Sequence, residues 1–514
     1  MSTDTSASGS GLATALWPRG AAGQREFLRE SSGRAINYDE ARARSAQLAH
    51  ALAGLKVRAA DRVAVQVEKS ATAVLLYLAV LRLGAVYLPL NTAYTEAELA
   101  YFLGDAEPAL LVCTPERAAA LQALSARLQL PALATLGSDG ESGTLIDAAA
   151  SLSPHFEDTA RTSDDLAAIL YTSGTTGRSK GAMLTHGNLI ANARTLAALW
   201  RFTAADRLLH ALPLFHIHGL FVAINVTIAA GASVLLLPRF DATLLLRHLP
   251  DATVLMGVPT HYIRLLAEPA LSRKAAAHMR LFICGSAPLL PETHQAFRER
   301  TGHAILERYG LSETGMNCSN PYEGERRPGS VGLPLPDVQL RIVDQAGAQV
   351  AGVGMIEVRG PNVFAGYWRN PERTHEAIRA DGYFITGDLG QRDADGYVTI
   401  VGRARDLIIS GGYNVYPREV ELEIDALPGV LESAVIGLPH PDLGEAVTAV
   451  IVPAKPAPEE AQLLAALRQR LAGYKLPKRV LFVAELPRNI MGKVQKAQLQ
   501  RTYSDLYAAV QHGR

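Results

Sequence analysis

Between Arg62 and Leu88 the chain reads strand, helix, strand. Arg62–Val67 (RVAVQV) is a short β-branched run. Ser70 opens an apolar helix that reaches Leu83, Gly84 ends it, and Ala85–Leu88 is apolar again. Parallel neighbours need a crossover of this kind, whereas antiparallel neighbours need only a tight turn. Parallel sheets are covered on both faces, so an α/β fold follows. Asp39–Leu55, with apolar residues three and four apart, supplies a covering helix. The rhythm continues at Ala168–Tyr171, Ala252–Val258 and Arg280–Cys284, apolar runs that end in Gly, Ser, Pro or Thr. Ligands of α/β sheets collect at such carboxyl ends.

With 514 residues, 48% hydrophobic and 19% charged, the chain can bury a large core. Fifty basic side chains balance fifty acidic ones, which argues against bulk binding to nucleic acid or an anionic membrane. Cys113, Cys284 and Cys318 stand at no metal-site or CxxC spacing and suit a reducing, cytoplasmic setting. Residues 1–20 begin Ser/Thr/Gly-rich and are expected to be a disordered leader. Gly219–Pro238 has no charged side chain, but "AAGASVLLLP" reads as helix end, glycine turn and buried strand rather than membrane span. After residue 330 the texture changes to hairpins, as in "VQLRIVDQAGAQV" and "GYVTIVG". A small α+β unit is expected from Arg405, with helices over Pro417–Leu427 and Pro458–Leu471 and strands over Glu432–Leu438 and Ala446–Val452. Domains are thus expected at 21–404 and 405–514.

"LYTSGTTGRSKGAMLTH" (Leu170–His186) runs from a strand into Thr172, Ser173, Gly174, Thr175, Thr176, Gly177, Arg178, Ser179 and Lys180. Glycines allow a tight turn, hydroxyls and free N–H groups donate to phosphate oxygens, and Lys180 adds a point charge. It is not a Walker A loop: Gly174 and Gly177 are too close, and Gly181 follows the lysine where Ser or Thr would hold Mg²⁺.

This loop resembles the signature of the AMP-forming, adenylate-forming superfamily. "YGLSE" (Tyr309–Glu313), "YFITGDLG" (Tyr383–Gly390), "VGRARDLIISGGYNVYPREVE" (Val401–Glu421) and "PRNIMGKVQK" (Pro487–Lys496) follow in the family's order. The resemblance implies a large N-terminal domain of stacked α/β sheets with a β-barrel-like subdomain, and a small mobile C-terminal domain. It implies that a carboxylate attacks the α-phosphate of ATP and that a thiol, usually CoA, then displaces AMP.

By resemblance, Thr172 to Lys180 hold the β- and γ-phosphates, and Glu313 binds Mg²⁺ through hard carboxylate oxygen. Tyr309 and Gly310 line one face of adenine, Ser286, Ala287 and Pro288 the other edge. Asp388 accepts the ribose hydroxyls, Arg403 supports them, and Ser312 stands where Thr is commoner. Lysine is scarce, and Lys493 occupies the family's adenylation position; acetylation there by a lysine acetyltransferase would remove its charge. Arg405 would be the hinge, Gly411, Gly412 and Tyr413 the CoA-facing loop, and His216 a group near the acyl carbonyl. His218 reads as packing, and Lys496 as a solvated tail lysine.

Arg308, before Tyr309, is the substrate signal. A buried guanidinium needs an anionic partner: Glu307, or a second carboxylate on the substrate, held bidentate. Arg264 is a second candidate, with Ser286 and His216 nearby. "LPLFHIHGLFVA", "GVPTHYIRL" and "GSAPLLPETH" closely resemble malonyl-CoA synthetases. The resemblance implies malonate, with methylmalonate weaker, as the acid. Another short acid, such as acetate or oxalate, a carrier-protein adenylation module acting in trans, a non-catalytic protein and luciferase-type oxidation stand as alternatives.

Overall fold

The computed structural model describes residues 11–18, 20–172, 179–489 and 492–507. The strand–helix–strand unit forms as the punctuation predicts. Arg62–Gln66 pairs parallel with Val86–Pro89, Arg62 beside Val86. Helix Ala71–Arg82 joins them, capped by the Ser70 side chain accepting from the Ala73 N–H. Gly84, at φ +73°, turns the chain back. Every residue of this helix is buried, so it is covered all round rather than lying on a surface. Arg82, deep within it, is fully satisfied: Nε meets Asp158 Oδ1 at 2.6 Å, and Nη1 donates to Ser45 Oγ and the Arg42 carbonyl.

Two large sheets pack around a shared core that takes Val63 and Leu75 from one side and Phe27 and Val234 from the other. The six-stranded sheet runs Leu133–Thr135, Leu110–Cys113, Arg62–Gln66, Val86–Pro89, Leu166–Thr172, Lys180–Thr185. Only the last pair is antiparallel. In the nine-stranded sheet, six central strands are parallel, in the order Glu26–Glu30, Ser233–Leu236, Arg207–His210, Val254–Gly257, Leu281–Cys284, Leu306–Leu311. The carboxyl ends of the last four deliver the segments 211–218, 258–264, 285–288 and 308–313 to one edge.

A four-stranded antiparallel sheet, Gln339–Val343, Gly354–Arg359, Phe384–Arg392 and Val398–Arg403, follows. The last sheet combines Tyr413–Val415, Ile408–Ser410, Gly444–Pro453 and Val430–His440, with Arg479–Phe482 parallel to Gly444–Pro453. Helix Pro417–Asp425 packs on it.

Three expectations need correction. Residues 12–17 are not part of a disordered leader: Leu12–Leu16 is a helix whose Leu12 and Leu16 are buried, and Trp17 packs edge-on against Phe27 and Tyr38. Its apolar LATALW pattern outweighs the Ser/Gly-rich run before it. The hairpin at Val338–Val350 closes through only one bridge, Val343 with Gln349; the long ladder is with Gly354–Arg359. The helix expected over Pro458–Leu471 is confined to Glu460–Leu467. Gly219–Pro238 breaks into a π-helical turn, helix Asn225–Ala230, Gly231 at φ +63° and strand Ser233–Leu236. Among the described residues no helix is long and apolar enough to cross a membrane.

Candidate active site

At the nucleotide end, Asp388 and Arg403 face each other across the ladder of Phe384–Arg392 and Val398–Arg403. Arg403 Nε lies 2.9 Å from Asp388 Oδ1. The Tyr309 hydroxyl donates to Oδ2 at 2.6 Å, and the Asp388 side chain is only 3% exposed as a residue. Tyr309 comes from the nine-stranded sheet and Asp388 from the four-stranded one, so this bond ties two sheets together. A carboxylate has about four acceptor sites, so capacity for ribose hydroxyls is left.

Glu313 lies in the turn between Leu306–Leu311 and Gly315–Ser319. Its Oε1 accepts from Thr172 Oγ1 at 3.3 Å and from the Tyr367 hydroxyl at 3.2 Å. Burial pushes the carboxyl pKa up, so it gains from a cation. One such carboxylate fits Mg²⁺ bound mainly by substrate phosphates, and among the described residues no group of three metal-ligating side chains exists. Thr172 and Lys180 are paired at the ends of their strands. Lys180 Nζ lies 5.0 Å over the Tyr367 ring, and burial lowers its pKa. Ser173, Gly174, Thr175, Thr176, Gly177 and Arg178 lie outside the described residues. Gly310 is required by close approach: a Cβ there would lie 2.0 Å from the Gly315 carbonyl oxygen. Ser312 is half-buried in the same turn, and Ala287 and Pro288 follow Ser286 with Pro288 exposed.

At the acyl end, Arg308 is 3% exposed, and its Nε and Nη2 have no hydrogen-bond partner. Glu307 does not pair with it. Consecutive strand residues point to opposite faces, and Glu307 turns toward His294 Nδ1 at 3.2 Å and the Gly329 N–H at 3.1 Å. Burial pulls the Arg308 pKa down to about 10, and the groups that offset this are Cys284 and Tyr262, not a carboxylate. Ser286 adopts φ +73°, a strained conformation for a residue with a side chain. His216 is half-buried and His218 fully buried; burial, then Arg308, lowers His216 to about 4 and also holds His218 well below its ordinary value. Both are neutral near pH 7. Arg264 departs from expectation: it is exposed, 6.0 Å over the Phe240 ring, and no hydrogen bond joins it to Arg308, Ser286 or His216. On the short helix Pro259–Ala267 it falls on the outer face, beside exposed Ile263.

Lys493 is half-buried beside Arg403 and Asp388. Burial, then Arg403, lowers its pKa to about 8. Its loop is seated on the acyl side: a Cβ on Gly492 would lie 2.9 Å from Thr260. Lys496 is not a solvated tail lysine; it pairs with buried Glu421 at 2.5 Å. Arg405 sits in the 3₁₀ turn Ala404–Asp406, 3.5 Å from Asp406. Gly411 and Gly412, at φ +57° and +81°, form the two-residue turn of a hairpin. Tyr413 is 59% exposed and stacks on Tyr474. In this arrangement Lys493 lies beside Arg403 and Asp388, and the glycine hairpin is exposed.

Sequence reasoning missed Tyr367, whose signal was an aromatic pair after Gly366. It also missed Lys69, which donates to the His210 carbonyl at 2.8 Å; a lone lysine at a strand end carries no such information.

Residues 17–368 match the AMP-binding enzyme family, and residues 419–493 match the AMP-binding enzyme C-terminal domain. A crystal structure of ATP-bound MatB from Rhodopseudomonas palustris is 54% identical with a TM-score of 0.95, covering 97% of this chain and 99% of that one. A malonate–CoA ligase of Arabidopsis thaliana is 37% identical over 458 residues, 82% of this chain and 74% of its own. A feruloyl-CoA synthase of an Amycolatopsis species is 38% identical over 480 residues, 92% of this chain and 94% of its own. Matched along both its large and its small domain, the chain belongs to the AMP-binding enzyme family and has the adenylate-forming fold.

Proposed function

We propose that the protein is a malonate–CoA ligase. It would join malonate to CoA through malonyl-AMP, releasing pyrophosphate and AMP, with methylmalonate a weaker substrate. One observation carries this reading: Arg308 is buried without an anionic partner while Glu307 is engaged elsewhere. Identity alone does not choose the acid, since relatives at similar identity carry malonate and feruloyl names. A buried, unpaired guanidinium favours an acid with a second carboxylate. It is costly until a carboxylate arrives, and an uncharged aromatic tail would leave it unpaired.

In the first half-reaction a malonate carboxylate oxygen attacks the α-phosphorus, the bond to the bridging oxygen breaks, and pyrophosphate leaves. The attacking carboxylate is already ionised at neutral pH, so the chain needs no general base. Its task is to hold two anions together with fixed cations. Arg308 would hold the far carboxylate, and the Ser286 hydroxyl would donate to it. Lys493 would place its ammonium between the near carboxylate and the α-phosphate. Asp388 and Arg403 would fix the ribose, Tyr309 the adenine. Mg²⁺, when bound through Glu313, would neutralise phosphate charge.

In the second half-reaction the CoA sulfur attacks the acyl carbon and AMP leaves. Rotation about Arg405 would withdraw Lys493 and bring Gly411, Gly412 and Tyr413 to the pantetheine arm, with His216 near the carbonyl. Acetylation of Lys493 would remove its charge and stop the first half-reaction.

The test is AMP formation with ATP, Mg²⁺ and CoA across acetate, propionate, malonate, methylmalonate, succinate and oxalate. Malonate strongly preferred, with acetate inert, supports the reading. Preference for acetate or propionate would leave only a general acyl-CoA ligase.

A further inference from the structure

His218 was expected to be packing, but its surroundings are too specific for that. It is fully buried at the start of the π-helical turn His218–Ile224. Three contacts fix the turn. The His218 N–H donates to His216 Nδ1 at 3.3 Å. A Cβ on Gly219 would lie 2.0 Å from the Pro213 carbonyl oxygen, so the backbone is closely packed there. His210 Nε2 lies 2.7 Å from the Gly219 carbonyl, which can only accept, so His210 carries its proton on Nε2.

The His218 imidazole then has two nitrogens in different situations. Nδ1 is 3.2 Å from Ser286 Oγ; Nε2 has no partner. Burial and the nearby Arg308 keep the ring neutral, so one nitrogen holds one proton. A proton on Nε2 would bury an N–H donor with nothing to accept it, the rarer kind of orphan. A proton on Nδ1 leaves only a bare acceptor and donates to Ser286 Oγ. The Ser286 hydroxyl is then free to donate onward. Ser286 follows Gly285, whose Cα lies against the Arg308 guanidinium, so hydroxyl and guanidinium serve the same space. A carboxylate there accepts only.

Resting on the malonate reading of the pocket, we infer that His218 is a positioning residue: its Nδ1–H holds Ser286 so that the hydroxyl donates to the free carboxylate of the acid beside Arg308. His218 does not touch the substrate and takes no proton from it.

The test is a double-mutant cycle on steady-state kinetics with malonate. His218→Ala and Ser286→Ala should each raise the malonate KM about tenfold or more, as for a lost hydrogen bond to a charged group. In His218→Ala the ATP KM should change little. The double variant should be no worse than the poorer single, because both remove one relay. His218→Asn, whose amide can donate from nearly the place of Nδ1, should recover most of the loss. Losses that multiply, or an ATP KM that rises in step, would overturn the proposal in favour of a packing role. Should His218→Ala not fold, nitrogen NMR of histidine-labelled wild type decides: a proton on Nδ1 supports the relay, and a proton on Nε2 rejects it. A wild type that ignores malonate and uses acetate overturns the substrate reading and this inference with it. A malonate-specific wild type with independent losses overturns this inference alone.

Discussion

The Arg308 guanidinium fills the space that a side chain on Gly285 would need: a Cβ there would lie 2.4 Å from Nη1 and 2.5 Å from Cζ. Gly285→Ala must therefore displace the guanidinium, and no hydrogen bond at Nε or Nη2 opposes that shift. We expect the fold to survive and malonate kcat/KM to fall by about tenfold to a hundredfold, the cost of a misplaced binding group. Arg308→Ala should cost about 2–5 kcal/mol in the same quantity, as for a broken buried charge pair. If malonate turnover by Arg308→Ala stays within tenfold of wild type, the pocket assignment is wrong.

On the proposed role of Lys493, the first half-reaction should be pH-dependent. Burial and Arg403 lower its pKa to about 8, so the ammonium is present below that value and lost above it. Pyrophosphate release without CoA should therefore show kcat/KM for ATP falling as pH rises through about 8, because this ratio reports the free enzyme. Bound polyphosphate favours the cation, so the limb in kcat should lie higher. Lys493→Arg should retain some activity and lose the alkaline limb. An unchanged limb in that variant would assign the titration to another group.

The punctuation of the fold was legible because it is local. Ser70, Gly84 and Gly231 act within a few residues, and each stands where its cap or turn is found. The convergence of Thr172, Tyr309, Glu313, Asp388 and Lys493 was legible only through motif order, since they come from three sheets and a C-terminal loop. What escaped was decided by direction and distance. Glu307 adjoins Arg308 in sequence, yet strand alternation carries it to His294. Arg264 shares the right segment but lies on the outer face of its helix. His216 and His218 differ by two residues and cannot be ranked by pattern; the contact with Ser286 crosses 68 positions of sequence.

Asp388 should read the ribose. Its carboxylate is positioned from both sides, by Tyr309 at 2.6 Å and Arg403 at 2.9 Å. Wild type should discriminate against 2′-deoxy- or 3′-deoxy-ATP, since an acceptor built for a hydroxyl is left unpaired by the analogue. Asp388→Asn should lose about 1.5–3 kcal/mol with ATP, as for a hydrogen bond to a charged group, and much of that discrimination. Tyr309→Phe keeps the carboxylate and Arg403, so a loss of a few-fold in ATP KM is expected. Equal use of ATP and both deoxy analogues by wild type would remove Asp388 from this role.

Lys493 and Gly412 should separate the two half-reactions. Lys493 lies at Asp388 and Arg403, while Gly412 sits at φ +81° in an outward hairpin with nothing within 4 Å of a would-be Cβ. Space does not require that glycine, but its backbone conformation favours it, at about 1–2 kcal/mol for a residue with a Cβ. Lys493→Ala should abolish pyrophosphate release yet still convert supplied malonyl-AMP and CoA to thioester, because sulfur attack on the acyl carbon needs no ammonium at the α-phosphate. Gly412→Ala should do the opposite: malonyl-AMP forms at near wild-type rate, and CoA-dependent AMP release slows. Quench-flow separation of the two steps checks both. If Lys493→Ala slowed both steps equally, the lysine would be serving the seating of its own loop rather than the transfer itself.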